Sequence, residues 1–142
     1  MPDKLLVQYR GDLGDPPSNF AQSVIDNPLT DAAAVTFLTA LAAHTDANIS
    51  KRVYSTVTSM TGAAPGSGVN VDRKAVLYFR HPTTLRTHNF TVNAIVAADT
   101  EEIAGSEGER VTTTAMTAIV GDIETLTGIA FIPLYGVVIQ SR

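Results

Sequence analysis

The chain has 142 residues, no cysteine, and a formal charge of −4 from ten basic and fourteen acidic side chains. That length suits one domain with a core of its own. The lack of cysteine excludes a disulfide framework, a thiolate nucleophile and a cysteine-based zinc site, and the acidic balance without an arginine-rich arm argues against direct nucleic-acid binding, which needs clustered Lys and Arg.

Lys4 to Arg10 (KLLVQYR) alternates apolar and more polar residues, the period-two mark of a strand. Gly11 to Leu29 is rich in Gly, Pro, Asn and Asp and is expected to be an extended arm or long loop. Its apolar residues Phe20, Val24 and Ile25 should leave water, either in a short helical turn on their own core or docked on a neighbouring subunit.

A first helix is expected to begin at Thr30, an N-cap, and Asp31, which complements the helix dipole. Ala34, Phe37, Leu38, Leu41 and Thr45 then repeat at i, i+3, i+4, i+7, and the helix should end between His44 and Ala47. Asn48 to Thr61 is rich in β-branched residues and predicts a strand, with Ile49, Val53 and Val57 on one face. Gly62 to Asn70 predicts a flexible loop.

Arg73 to Arg80 predicts a strand that is apolar on both faces, with Ala75, Leu77 and Phe79 opposite Val76 and Tyr78. A turn around Pro82 should return it as Thr87 to Val96, forming a hairpin. Ala97 to Arg110 is an acidic loop, followed by a helix over about Val111 to Leu126. Ala115, Ile119, Ile123 and Leu126, flanked by Met116 and Val120, form its apolar stripe, and Gly128 is its natural C-terminal cap. Ala130 to Gln140 is an almost wholly apolar last strand, which Pro133 places at an edge or a bulge.

The expectation is one α+β domain over residues 1–142, with 11–29 as the arm. About five mostly antiparallel strands carry two amphipathic helices on one face. Two helices cover one sheet face only, yet the strands at 73–80 and 130–140 are apolar on both, and such strands expect cover on both sides. Phe20, Val24 and Ile25 from the arm, with Phe131, Tyr135, Val137 and Ile139 from the last strand, are therefore the candidate subunit-interface residues. The alternative is a register one residue out, or a sheet curled into a closed barrel.

Chemistry-bearing groups point to less. Gly66-Ser67-Gly68 lacks the third glycine and the following helix of a dinucleotide fingerprint. His81 and His88 could face each other across the hairpin turn, but no further zinc ligand stands at a suggestive spacing. His44 suits a helix C-terminus. Glu101, Glu102, Glu107 and Glu109 belong to a solvated loop, with Ser106 and Glu109 at capping-box spacing. Asp12 and Asp15 lack the oxygen ladder of a calcium loop. Arg10-Gly11-Asp12 and the acceptor patterns at Asn48 and Asn89 are short enough to recur by chance.

No catalytic residue, metal site or cofactor is assigned. The start of the chain lacks a signal-peptide pattern, and no apolar run approaches the ~20 residues of a membrane span. Only three lysines occur, and lysine is depleted from protein contacts. These features together suggest a non-enzymatic structural subunit whose partners are copies of itself. A virion component (capsid, decoration or tail protein) or a filament subunit fits that description, with other proteins of the same assembly as further partners and no nucleic acid or membrane. The alternative is a small-ligand-binding or regulatory dimeric α+β module, and after it an enzyme of dimeric α+β-barrel type.

Overall fold

A computed structural model describes residues 4–11, 20–26, 28–45, 49–54, 59–61, 74–93, 95–105 and 108–140. Strands β1 (Lys4–Gly11) and β2 (Phe20–Asp26) precede helix α1 (Asp31–Ala42). Strands β3 (Ile49–Tyr54), β4 (Ser59–Thr61), β5 (Lys74–Arg80) and β6 (Thr87–Asn93) follow. A 3-10 turn at Ala97–Asp99 leads into β7 (Thr100–Glu102) and β8 (Glu109–Val111), then helix α2 (Thr113–Thr127) and β9 (Ile132–Gln140).

The strands make two antiparallel sheets, β2-β1-β3-β4 and β6-β5-β9-β8-β7. The expected α+β class holds, with both helices on the inner side of the sheets. A single buried cluster unites Leu5 and Val7 of β1, Phe37 and Leu41 of α1, Leu77 of β5 and Ile119 and Ile123 of α2. Phe37 meets Phe90 of β6 edge to face, with ring centroids 5.9 Å apart, which ties α1 to the five-stranded sheet.

The two sheets abut at β2 and β6. Instead of a backbone ladder, Ser23 Oγ donates to the Thr91 carbonyl at 3.3 Å and accepts from the Thr91 N–H at 2.9 Å. One buried hydroxyl thus satisfies both main-chain groups of an edge residue.

The helix caps fall where the sequence placed them. Thr30 Oγ1 accepts from the Ala33 N–H at 3.0 Å. Gly128 closes α2 at φ +75°, and the Leu29 side chain lies 3.6 Å from where a Cβ would stand. At the start of α2 the cap is Thr112, which accepts from the Ala115 N–H, rather than the Ser106–Glu109 pair, because Glu109 is already in β8.

Three expectations change. Residues 20–26 are a strand hydrogen-bonded to β1, not an arm; the rest of that stretch as far as 19, beyond Gly11, lies outside the described residues. The segment expected as one strand over 48–61 is two, β3 and β4, paired with each other. The acidic loop at 97–110 contains the β7–β8 hairpin, which the Ile103 N–H to Gly108 carbonyl bond continues. The flexible loop over 62–70 lies outside the described residues.

The hairpin β5–β6 forms as expected, closed by the His81 N–H to Arg86 carbonyl bond at 2.9 Å. Leu85 in its turn sits at φ +62°. Pro133 resolves to a bulge in a central strand: Tyr78 pairs with Tyr135 while Phe79 pairs with Pro133, leaving Leu134 over.

Candidate functional site

The outer face of the five-stranded sheet follows from the register. Tyr78 stands beside Tyr135 and Val76 beside Val137, and the exposed Ile139 follows, left over at a second register shift between Lys74 and Ala75. The two tyrosine rings lie 4.9 Å apart at 33°. Tyr135 is 56% exposed, Val137 37% and Ile139 58%, while Val76 and Tyr78 are half-buried.

This apolar strip is bordered on β6 by the uncharged, exposed Thr87 and Asn89. Arg110 lies across from Val137 on β8, and its Nε donates to Glu101 Oε1 of β7 at 2.9 Å. That border is thus an ion pair rather than a bare charge.

The seven expected contact residues separate. Tyr135, Val137 and Ile139 lie together on the outer face, and Val24 (50% exposed) points outward from β2. Ile25, one residue on, points inward and is 7% exposed, so its surface is already committed to the chain's own core. Phe131 precedes β9 and packs against that core, with its ring 4.9 Å from Phe79. The Phe20 side chain lies outside the described residues. Ile132 and Leu134, exposed at 39% and 41%, were not singled out from sequence. Only the bulge, which the sequence does not locate residue by residue, fixes where they stand.

A second feature lies at the seam of the two sheets. Val24, Ile25 and Asp26 of β2 and His88 and Asn89 of β6 line a cavity of about 220 Å³. Phe79 and Ile123 lie deepest in burial, and His81, Ile129 and Phe131 complete the wall.

His81 and His88 do approach, with ring centroids 6.3 Å apart. However, His81 Nδ1 accepts the Thr83 and Thr84 N–H groups at 3.0 and 3.1 Å. In the neutral ring this puts the proton on Nε2, which leaves no lone pair on the outward nitrogen for a metal. No group of three or more His, Cys, Asp or Glu suited to a metal occurs among the described residues.

His44 is more than a helix-end residue. Its Nδ1 lies 2.7 Å from Asp99 Oδ2, both side chains being largely buried. Asp122 of α2 also feels His44. Burial raises the Asp122 carboxyl above the usual carboxylate range, and attraction to His44 opposes that rise. The 55-residue separation of His44 and Asp99 hid this pair from any local spacing rule. A carboxylate on Nδ1 orients an imidazole as in a hydrolytic triad, but neither the seam cavity nor the groove beside Tyr135 and Met116 is lined by His44.

Asp12, Asp15, Ser106, Glu107 and the 66–68 glycine loop lie outside the described residues. No described helix is long and apolar enough to cross a membrane. No protein-family model, curated protein or solved structure matches the chain.

Proposed function

We propose that the chain is a non-enzymatic structural subunit that assembles with copies of itself through the outer face of the five-stranded sheet. The observation carrying this reading is the exposed strip of Tyr135, Val137 and Ile139, backed by Val76 and Tyr78, on a sheet whose helices all lie on the other side.

Magnitudes set what kind of contact it makes. The largest apolar patch on a typical monomer is on the order of 400 Å², and a strip of three exposed and two half-buried side chains is of that class. A stable pairwise interface takes about 800 Å² per partner. The strip is therefore the centre of an interface whose rim comes from Thr87, Asn89 and the Arg110–Glu101 pair. At roughly 25 cal/mol per Å², two such strips gain on the order of 20 kcal/mol gross, against an association cost of about 4–15 kcal/mol.

A second copy is the favoured occupant because the strip carries no charge at its centre and Arg110, on its β8 border, is already paired with Glu101. Like faces can meet in the aligned packing of a β-sandwich, with the charged Lys74 and Arg80 at the two ends of β5 rather than at its centre. Repeated contacts of this modest strength suit a virion component or a filament subunit, where many copies add their affinities.

The test is particle mass by light scattering over a wide concentration range, for the native chain and for Tyr135→Asp/Val137→Asp. Native oligomers that become monomers in the double variant, with the helical circular dichroism kept, are the expected result. A native chain that stays monomeric at millimolar concentration overturns the proposal. The cavity at the seam favours the alternative, a small-ligand-binding module, and a monomer or dimer that takes up a small ligand would support it.

A further inference from the structure

We infer that the cavity between β2 and β6 is a binding site for a small, uncharged phenol: one aromatic ring bearing one hydroxyl. This is distinct from self-assembly, because Tyr135, Val137 and Ile139 do not line the cavity, and only Asn89 borders both.

Size fixes the first property of the ligand. A protein cavity of about 150 Å³ accepts benzene, so about 220 Å³ holds one six-membered ring with a substituent and little more. Nucleotides and most cofactors need pockets of roughly 300 Å³ or larger.

The walls fix the second. Phe131 stands edge to face against three other rings, at 71° to Phe79, 86° to His81 and 62° to His88. Aromatic rings prefer this mutual arrangement, and a guest ring extends it in a way an aliphatic chain cannot. Below, the sealed side chains of Ile25 and Ile123 supply an apolar floor.

The polar groups fix the third. His81 lines the cavity and accepts through Nδ1 inside its own turn, so in the neutral ring its Nε2 is a donor, and His88 and Asn89 add further polar groups to the wall. Asp26 lines the same cavity and only accepts when ionised; its partner Lys4 is 3.9 Å away in a largely solvent-exposed pair. A site with a donor and an anionic acceptor suits a group that does both. A hydroxyl accepts from the imidazole and donates to the carboxylate, whereas a carboxylate ligand meets Asp26 as a like charge.

The cavity escaped the sequence because its walls come from four segments: the β2 strand, the β5–β6 hairpin, α2 and the stretch just before β9.

The experiment uses the whole chain and p-cresol as probe, with toluene and 4-methylbenzoate as comparators, read by the side-chain carbon–proton NMR signals of His81 and His88. Saturable shifts of both imidazoles with p-cresol are expected, with toluene weaker by about tenfold, the scale of one net hydrogen bond. The benzoate should be weaker still, and Asp26→Asn should narrow its gap to p-cresol. Ile129→Trp, which fills the cavity, should abolish the response while the signals of a folded chain persist. If neither imidazole responds, or if toluene binds as well as p-cresol, the assignment is wrong. Equal binding by Ile129→Trp would place the probe elsewhere and would overturn it too.

Discussion

On the helix side of β5, Ala75, Leu77 and Phe79 are sealed at 0–3% exposure, whereas on the other side Val76 and Tyr78 are only half-buried and their neighbours Tyr135 and Ile139 are more than half exposed. Residue chemistry is similar on the two faces. What differs is supply: α1 and α2 both sit inside, and among the described residues no helix lies outside. Strand composition tells that a surface wants cover, while the placement of helices tells which surface receives it from within.

The sharpest way to test this contrast is to truncate neighbouring residues on opposite faces. Leu77→Ala opens a cavity in the buried core and should cost about 2–5 kcal/mol. Tyr78→Ser, one residue on, should cost less than about 1 kcal/mol in dilute solution while weakening association. Urea denaturation at low protein concentration, paired with light scattering at high concentration, separates the two effects. Equal destabilisation by both variants would mean that the outer face is also part of the folded core.

A smaller effect follows from the place where the inner face is tightest. A Cβ on Gly136 would lie 2.7 Å from Val111 and 2.9 Å from the Leu77 side chain. Gly136→Val should therefore overpack the layer between β8 and β5 and cost about 1–3 kcal/mol in chemical denaturation. The glycine also explains how β9, apolar on both sides, has room for its inner neighbours.

Much of this was legible in the sequence. Ala34, Phe37, Leu38 and Leu41 of α1, and Ala115, Ile119, Ile123 and Leu126 of α2, are all buried where the helical spacing put them. Local chemistry also determines the caps at Thr30 and Gly128 and the β5–β6 hairpin. The failures share a cause. In 20–26 the alternation of inward Ser23 and Ile25 with outward Val24 and Asp26 is real, but a polar serine in an inward position disguises it. Strands β7 and β8 have three residues each and carry Glu101, Glu102, Glu109 and Arg110, so the single apolar Val111 gives them too little signal to read. Charge on the short edge strand β7 keeps that edge from pairing further, which is why it resembles solvated loop. The seam cavity and the His44–Asp99 pair depend on chain segments far apart in sequence, and no local rule reaches them.

Ser23 offers the next test. Its hydroxyl is the only side-chain link described between β2 and β6, and Ser23→Ala leaves the Thr91 N–H and carbonyl without it. A loss of about 1–2 kcal/mol is expected, together with faster amide hydrogen exchange at Thr91. Unchanged exchange there would show that the sheets are held by core packing alone.

The smallest effect is a pH dependence at the margin of the protected layer. The Asp122 carboxyl is raised by burial, so the folded chain holds this proton more tightly than the unfolded chain does. The stability this contributes is fully present below the usual carboxylate value and is lost as pH rises through the folded value. Near neutral pH the ionised carboxylate is therefore a cost, reduced by the neighbouring His44. Asp122→Asn should raise the midpoint of thermal unfolding slightly near pH 7 and leave it unchanged or lower it at acid pH, flattening the profile just above the usual carboxylate range. A variant that is less stable at neutral pH would instead show that attraction to His44 outweighs desolvation, making Asp122 a working partner of the His44–Asp99 pair rather than a tolerated charge at the edge of the core.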